Sequence, residues 1–377
     1  MTEEIPATNL SILSLVKEAG ELDLSLAAQP MPEPKDHEVL VRVQATPINP
    51  SDLFLLLAGA DISAAKTVSR DGLPVVNAPI PQAAMRAMGG RVGQAMPVGN
   101  EGSGVVVKAG ASPEAQALLG KTVAMLGGAM YAQYRCLPAQ MCMAMPDGTD
   151  PRDAASCFVN PLTALGFVET AKAEGHGAII HTAAASNLGQ MLNRICLADG
   201  IPLVNIVRKP EQVELLKGQG AKHVLDSSAA DYMDGLVAAI ADTGATLAFD
   251  AIGGGKQGGQ ILGAMEAVAA KAMKEYNRYG SDTFKQLYIY GALDLSPTVF
   301  NRTFGFKWSI SGWLLPNFLA AAGAETAQRM RARVAAELTT TFASHYSHEI
   351  SLEQVLDLPT IAAYDAKRTG EKYLIRP

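Results

Sequence analysis

The sequence predicts an α/β protein in which a β-rich N-terminal portion precedes an open, doubly wound parallel sheet. Three observations carry that prediction. The texture of the chain changes near Asp153, from short alternating strands to helices interleaved with apolar strands. Residues 178–225 read as strand, tight turn, helix, strand, helix. Two later apolar strands run directly into glycines, Gly253-Gly254-Gly255 and Gly291, at the strand ends where doubly wound sheets bind their ligands.

Taken in order, residues 38–44 (EVLVRVQ) alternate apolar and polar side chains and read as a half-buried strand. Residues 102–108 and 121–126 are two more strands, and a fourth lies around 131–136, with Pro146-Asp147-Gly148 as a turn. Residues 153–172 are mostly helical. The run 178–180 is short and apolar throughout, as in a strand buried on both faces. Residues 182–189 are small or short, so the backbone can turn sharply there and approach an anion at the next helix N-terminus. That turn places Ala183, Ser186 and Gly189 at the three spaced positions of a G-x-G-x-x-G fingerprint, which is therefore not strictly present. Ser186, Asn187, Leu188 and Gly189 are the expected pyrophosphate contacts. Met191, Leu192, Ile195 and Cys196 have helical spacing, and Gly200-Ile201-Pro202 stops the helix.

The second strand, 203–207, ends at Arg208-Lys209. An NAD-binding fold carries an acidic residue about 20 residues beyond the turn, where it accepts the ribose 2′-hydroxyl. A doubly basic end suits a 2′-phosphate instead, so the expected cofactor is NADPH, with Arg208 on the phosphate and Lys209 assisting. A surface salt bridge is the plainer role for this pair. Residues 246–252 and 287–290 are further buried strands, 320–338 an Ala-rich amphipathic helix, and 349–351 and 372–375 short strands.

At 377 residues the chain has room for two ordinary domains, and 48% hydrophobic with 18% charged residues excludes a disordered protein. The net charge of −6 argues against bulk nucleic-acid binding. Cys136, Cys142, Cys157 and Cys196 lack C-x-x-C spacing and read as reduced thiols. The polar start MTEEIPATNL does not read as a signal peptide, and the aliphatic stretch 53–60 is too short to span a membrane. The expectation is a cytoplasmic protein.

Several motifs stand in a telling order: Asn49-Pro50-Ser51-Asp52, residues 97–106 (PVGNEGSGVV), Tyr131-Ala132-Gln133-Tyr134, residues 159–164 (VNPLTA), Gly220-Ala221-Lys222-His223-Val224, residues 249–254 (FDAIGG) and 306–313 (FKWSISGW). Together they resemble the medium-chain dehydrogenase/reductase superfamily, in its zinc-free branch of quinone oxidoreductases and enoyl reductases. The resemblance runs from about Glu38 to the C-terminus. It implies a GroES-like catalytic domain over 1–156 and 313–377, a Rossmann dinucleotide-binding domain over 157–312, and a homodimer. Zinc-dependent relatives use Cys, His and Cys at the positions held here by Asn49, Asn100 and Val159, which cannot supply thiolate or imidazole ligands. No metal is therefore expected.

Without a metal to polarise a carbonyl, alcohol oxidation is hard, whereas an electron-poor quinone or activated enone accepts hydride at carbon. The resemblance implies that Asn49 lies near nicotinamide and substrate, that Thr163 approaches the carboxamide, and that Gly253, Gly254 and Gly291 flank the ribose and nicotinamide. Turn and helix-start roles are the plainer alternatives for all five. Two departures stand out. Enoyl thioester reductases of the branch place a Tyr soon after the Asn-Pro motif, where this chain has Ala60-Asp61. Residues 61–96 also exceed the family's usual connection and read as either an apolar cover bearing Met85, Met88 and Met96 or a packing excursion. The expected function is zinc-independent, NADPH-dependent reduction of a quinone or enone. A 2-enoyl thioester reductase and an NADPH-binding sensor without turnover are the alternatives.

Overall fold

The computed structural model describes residues 4–377. Contacts divide the chain into two units, one running up to Val159 and resuming at Val334–Pro377, the other covering Asn160–Arg333.

In the first unit, β1 (Thr8–Val16) and β2 (Glu21–Pro30) form an antiparallel pair, followed by β3 (Glu38–Pro47) and the helix Pro50–Leu57. Residues 61–96 settle the open choice in favour of packing. They supply β4 (Lys66–Arg70) and β5 (Leu73–Pro79), and with β6 (Ala95–Pro97) they complete a five-stranded sheet of order β4-β5-β2-β1-β6. Met88 and Val76 join Leu22, Leu24 and Leu56 in one core. The buried guanidinium of Arg91 donates to the carbonyls of Phe54 and Leu55, which end the helix Pro50–Leu57, and to Ser14 Oγ at 2.8 Å. Cations at a helix C-terminus satisfy its orphan carbonyls and its dipole. The chain then lays down β7 (Glu101–Ala109), β8 (Thr122–Leu126), β9 (Tyr134–Pro138) and β10 (Cys142–Ala144).

The second unit holds β11 (Ile179–His181), β12 (Leu203–Val207), β13 (His223–Asp226), β14 (Leu247–Asp250), β15 (Gly253–Gly255), β16 (Lys285–Ile289), β17 (Asp294–Thr298) and β18 (Trp308–Gly312). Six of these make a sheet of order β13-β12-β11-β14-β16-β18 with every neighbouring pair parallel. Renumbered within the unit, this is the 3-2-1-4-5-6 order of the doubly wound dinucleotide-binding fold. The expected Rossmann-type sheet is thus present. Ile180, Val204, Ile206, Ala248 and Leu287 are buried from it against the helices Tyr232–Thr243 and Gln257–Lys271. The connection after the second of these helices is pinned by a buried ion pair. Lys285 Nζ donates to Glu266 Oε2 and to Thr283 O, while Ser281 donates to Glu266 through both N–H and Oγ at 2.7 Å.

The chain returns to the first unit with β19 (His348–Ile350) and β20 (Tyr373–Ile375), which complete a seven-stranded sheet of order β10-β8-β7-β3-β20-β19 with β9 also on β3. Residues 153–172 are mostly helical, as expected, in a short helix Pro151–Ala154 and a separate helix Val159–Glu174. One expectation from the sequence needs correcting. The return to the first unit comes later than the 312/313 boundary. Trp313 packs edge-on against Phe167 at 4.8 Å, and Arg329 and Arg333 pair with Glu169 and Asp199, each at 2.8 Å, so these residues stay with the second unit. The helix Leu315–Ala336 is itself broken at Gly323, where φ is 82°.

Removing one partner of a buried pair leaves the other charge uncompensated. Lys285→Met is therefore expected to destabilise the protein by about 3–5 kcal/mol, read as a lowered urea midpoint.

Candidate active site

In the second unit the site begins where β11 ends. Ala183 takes φ 51°, and Ser186 caps the helix Asn187–Asp199 by accepting from Gly189 N–H at 3.1 Å. A Cβ on Gly189 would lie 2.2 Å from Ala184 O, so only glycine lets this helix start so close to the strand end. That close packing is the work of the third glycine in a dinucleotide fingerprint. Ala183 and Ser186 thus stand where glycines are usual, while the position that cannot tolerate a side chain has kept its glycine. The first-turn amides at Asn187 and Leu188 lie at the positive end of the helix dipole.

Arg208 follows β12 directly and is exposed, with its own N–H held by Gln212 Oε1 at 3.0 Å. Its guanidinium has no ion pair among the described residues. Lys209 precedes the helix Pro210–Gly218 and reaches Glu211 only at 3.7 Å. The strand ends of β14 and β16 carry the other glycines. Gly253 has φ 79°, a Cβ there would meet Gly291 O at 2.8 Å, and one on Gly291 would meet Ala251 O at 2.6 Å. Gly254 lies in β15, which pairs with β17. Sequence reasoning missed the polar clasp between β11 and β14, where the strand order reverses. Thr182 Oγ1 donates to Asp250 Oδ1 at 2.6 Å and accepts from Ala251 N–H at 2.8 Å, and Asp250 also takes Ile252 N–H and Gly253 N–H. Behind it His181 Nε2 meets Tyr290 OH at 2.8 Å, and burial drives the imidazole pKa down to about 3. Thr163 is buried in the helix Val159–Glu174.

The first unit holds Asn49 in a separate cluster. Asn49 precedes the helix Pro50–Leu57, and Asp52 Oδ2 accepts its N–H at 2.8 Å while Asp52 Oδ1 accepts Asn100 N–H at 2.8 Å. Burial pushes the Asp52 carboxyl up to about 7 against those two bonds. Asn49 Nδ2 donates to Glu101 Oε1 at 2.8 Å, and Glu101 Oε2 accepts Phe158 N–H and Val159 N–H at 2.8 and 2.9 Å. These two bonds explain why the helix starts afresh at Val159, since a buried carboxylate occupies its N-terminus. Burial raises the Glu101 pKa and lowers that of Lys372 to about 8, and the two groups attract one another. Neither Glu101 nor Lys372 was singled out from sequence. Lys372 had no motif to mark it, and Glu101 stood inside the PVGNEGSGVV motif as an unremarked letter. Among the described residues no three His, Cys, Asp or Glu side chains converge in a metal-binding group.

Residues 35–147 match the alcohol dehydrogenase GroES-like domain, on a chain whose other unit has the 3-2-1-4-5-6 parallel sheet. The chain is thus similar to the medium-chain dehydrogenase/reductase superfamily, with the domain match itself confined to residues 35–147. Among curated proteins, a mitochondrial enoyl-[acyl-carrier-protein] reductase of Xenopus tropicalis is 28% identical over 198 residues, 51% of this chain and 49% of that one. The match thus spans about half the length of the relative. Two solved structures share the fold. One is described as a candidate NADPH:quinone reductase of Mesorhizobium loti (TM-score 0.74, 24% identity, 100% of both chains). The other is described in the same way, from Bacillus thuringiensis (TM-score 0.71, 20% identity, 98% of this chain and 99% of that one).

Gly189→Ala is expected to cost about 1–3 kcal/mol through the clash with Ala184 and to weaken dinucleotide binding, measured by thermal melting and by titration. A second test concerns acid stability. The unfolded chain protonates His181 near its ordinary 6.5, whereas the folded chain refuses that proton down to about 3. Stability is therefore lost as pH falls through this window. Asp52 has the opposite sign, because its raised folded pKa loses stability as pH rises from 3.8 to about 7. His181→Phe should reduce the acid loss, read as a smaller difference between urea midpoints at about pH 4.5 and pH 7.

Proposed function

We propose that this protein is a zinc-independent reductase that uses NADPH to deliver hydride to a quinone or an activated enone. The observation that carries the reading is Arg208. A guanidinium without an ion pair among the described residues follows the strand end where an NAD-type sheet carries a carboxylate, and its charge suits a 2′-phosphate. The residues present fit a dinucleotide: Gly189 lets the helix start pack directly against the Ala184 backbone at the strand end, where the first-turn amides and the helix dipole favour an anion. The two fold neighbours described as candidate NADPH:quinone reductases support the same cofactor and reaction class.

When bound, NADPH supplies the hydride. Arg208 and Lys209 hold the 2′-phosphate, and Ser186, Asn187, Leu188 and Gly189 form the pyrophosphate site. Gly253, Gly254 and Gly291 keep the strand ends free of side chains for the ribose and nicotinamide. Asn49 and Thr163 are assigned to the reacting end by family resemblance. Asn49, Asn100 and Val159 offer no thiolate or imidazole, so the reaction is assigned to acceptors that delocalise charge themselves. We further propose a homodimer in the cytoplasm. The edge strand β18 and the exposed Tyr276, Leu295 and Phe306 favour self-association. No helix among the described residues is long and apolar enough to cross a membrane.

A 2-enoyl thioester reductase is the second reading, favoured by the Xenopus relative. Against it, Asp61 stands where that group has a Tyr, and its carboxylate is spent on a local turn, accepting Ser63 N–H at 3.0 Å and Ser63 Oγ at 2.6 Å.

The test is consumption of NADPH and NADH against quinones, enones and an enoyl thioester. Quinone or enone turnover with NADPH preference supports the proposal. Turnover confined to the thioester promotes the second reading, and tight NADPH binding without turnover points to a sensor. Arg208→Ala is expected to lower kcat/KM for NADPH at least about tenfold, the equivalent of one charge-assisted hydrogen bond, while leaving NADH unchanged. An unaltered ratio would overturn the cofactor assignment.

A further inference from the structure

Asp250 ends β14 and is 1% exposed, and Thr182, which follows β11, is as deeply buried. Every partner of the Asp250 carboxyl group donates. Oδ1 takes Thr182 Oγ1–H at 2.6 Å and Ile252 N–H at 3.0 Å, and Oδ2 takes Gly253 N–H at 3.2 Å. That is the partner set of an ionised carboxylate, which can only accept. The turn after β14 needs acceptors, not charge, yet the residue that supplies them carries a charge.

No cation among the described residues pairs with it. Glu266 has Lys285 and Glu101 has Lys372, whereas the titratable groups beside Asp250 are the phenols of Tyr290 and Tyr232, which its charge helps to keep protonated. His181, the residue before Thr182, is held neutral by burial. A buried carboxylate without a counter-ion costs stability, so its charge calls for a role. The sheet suggests one. A dinucleotide lies across the crevice where the strand order reverses, here between β11 and β14. With the 2′-phosphate assigned beyond β12 and the pyrophosphate to the turn after β11, the nicotinamide half falls on the other side, over the ends of β14 and β16. All these strands lie within the second unit.

We infer that the Asp250 carboxylate acts through space on the nicotinamide ring, favouring the oxidised, cationic form of the cofactor over the neutral reduced form. The inference rests on the cofactor reading above. A hydride that leaves the ring carries its electron pair to the acceptor, and the ring is left with one positive charge. A fixed carboxylate behind the strand ends offsets that charge without touching the ring. In a protein interior such a field reaches well beyond the atoms in contact. Thr182 and the two amides orient the carboxylate but do not neutralise it.

Two variants separate charge from clasp. Asp250→Asn removes the charge, and Thr182→Val loosens the clasp while keeping it. Binding of NADP+ and of NADPH is titrated separately by calorimetry. Asp250→Asn is expected to raise the ratio of the NADP+ to the NADPH dissociation constant at least about fivefold. Thr182→Val is expected to leave that ratio unchanged, even where it weakens binding of both forms. A clasp with no electrostatic role would make Asp250→Asn weaken both forms alike, and an unaltered ratio in that variant overturns the inference. A measurement on the unaltered protein covers a variant that fails to fold. There NADP+ should bind more tightly than NADPH, and a preference for NADPH overturns the inference. If the protein binds only the non-phosphorylated pair, the NADPH assignment fails, and the same ratio taken with NAD+ and NADH still decides the role of Asp250. Protein that binds neither pair overturns the cofactor reading itself, and the inference with it.

Discussion

The buried carboxylate of Glu101 is the constraint around which the first unit is organised. It joins the start of β7, the Asn-Pro turn before the helix Pro50–Leu57 and the first amides of the helix Val159–Glu174. A carboxylate is acceptable in such a place only when several donors and a cation compensate its lost hydration. Three N–H groups and Lys372 do so here. The position of Asn49 follows from that arrangement, and so does the break that separates Pro151–Ala154 from the helix after it.

The second unit solves a different problem by subtraction. Its turn after β11 has lost two of the three fingerprint glycines, but Gly189 remains where a methyl group would strike the Ala184 carbonyl. Ala183 reaches its left-handed φ at a modest cost that alanine can bear. Ser186 replaces a glycine by a cap that satisfies an amide at the helix start. A degenerate motif can thus keep its geometry, because its three positions do unequal work.

Much of this was legible in the sequence. Apolar runs at β11, β12, β14 and β16, with small residues at their ends, marked the parallel sheet. The missed parts have physical reasons. β1 and β2 carry Ser and Asp on faces that become buried, such as Ser14 and Asp23, so their alternation is blurred. Asp23 goes inside because Lys17 and Arg70 meet it at 2.6 and 2.7 Å, and Arg70 lies outside any local window. The cluster of Asn49, Asp52, Glu101 and Lys372 joins residues from both ends of the chain, and periodicity cannot report such a meeting.

The stretch 61–96 has a consequence for how this chain can vary. It cannot be trimmed like a surface loop. Arg91 closes the end of the helix Pro50–Leu57 through two carbonyls, and that helix begins just after Asn49, whose side-chain amide faces Glu101. β5 also covers β2 along five paired positions. A descendant that lost the segment would have to re-cover Leu22 and Leu24 and re-terminate the helix in the same step. The segment is a dependency, fixed in place by what leans on it.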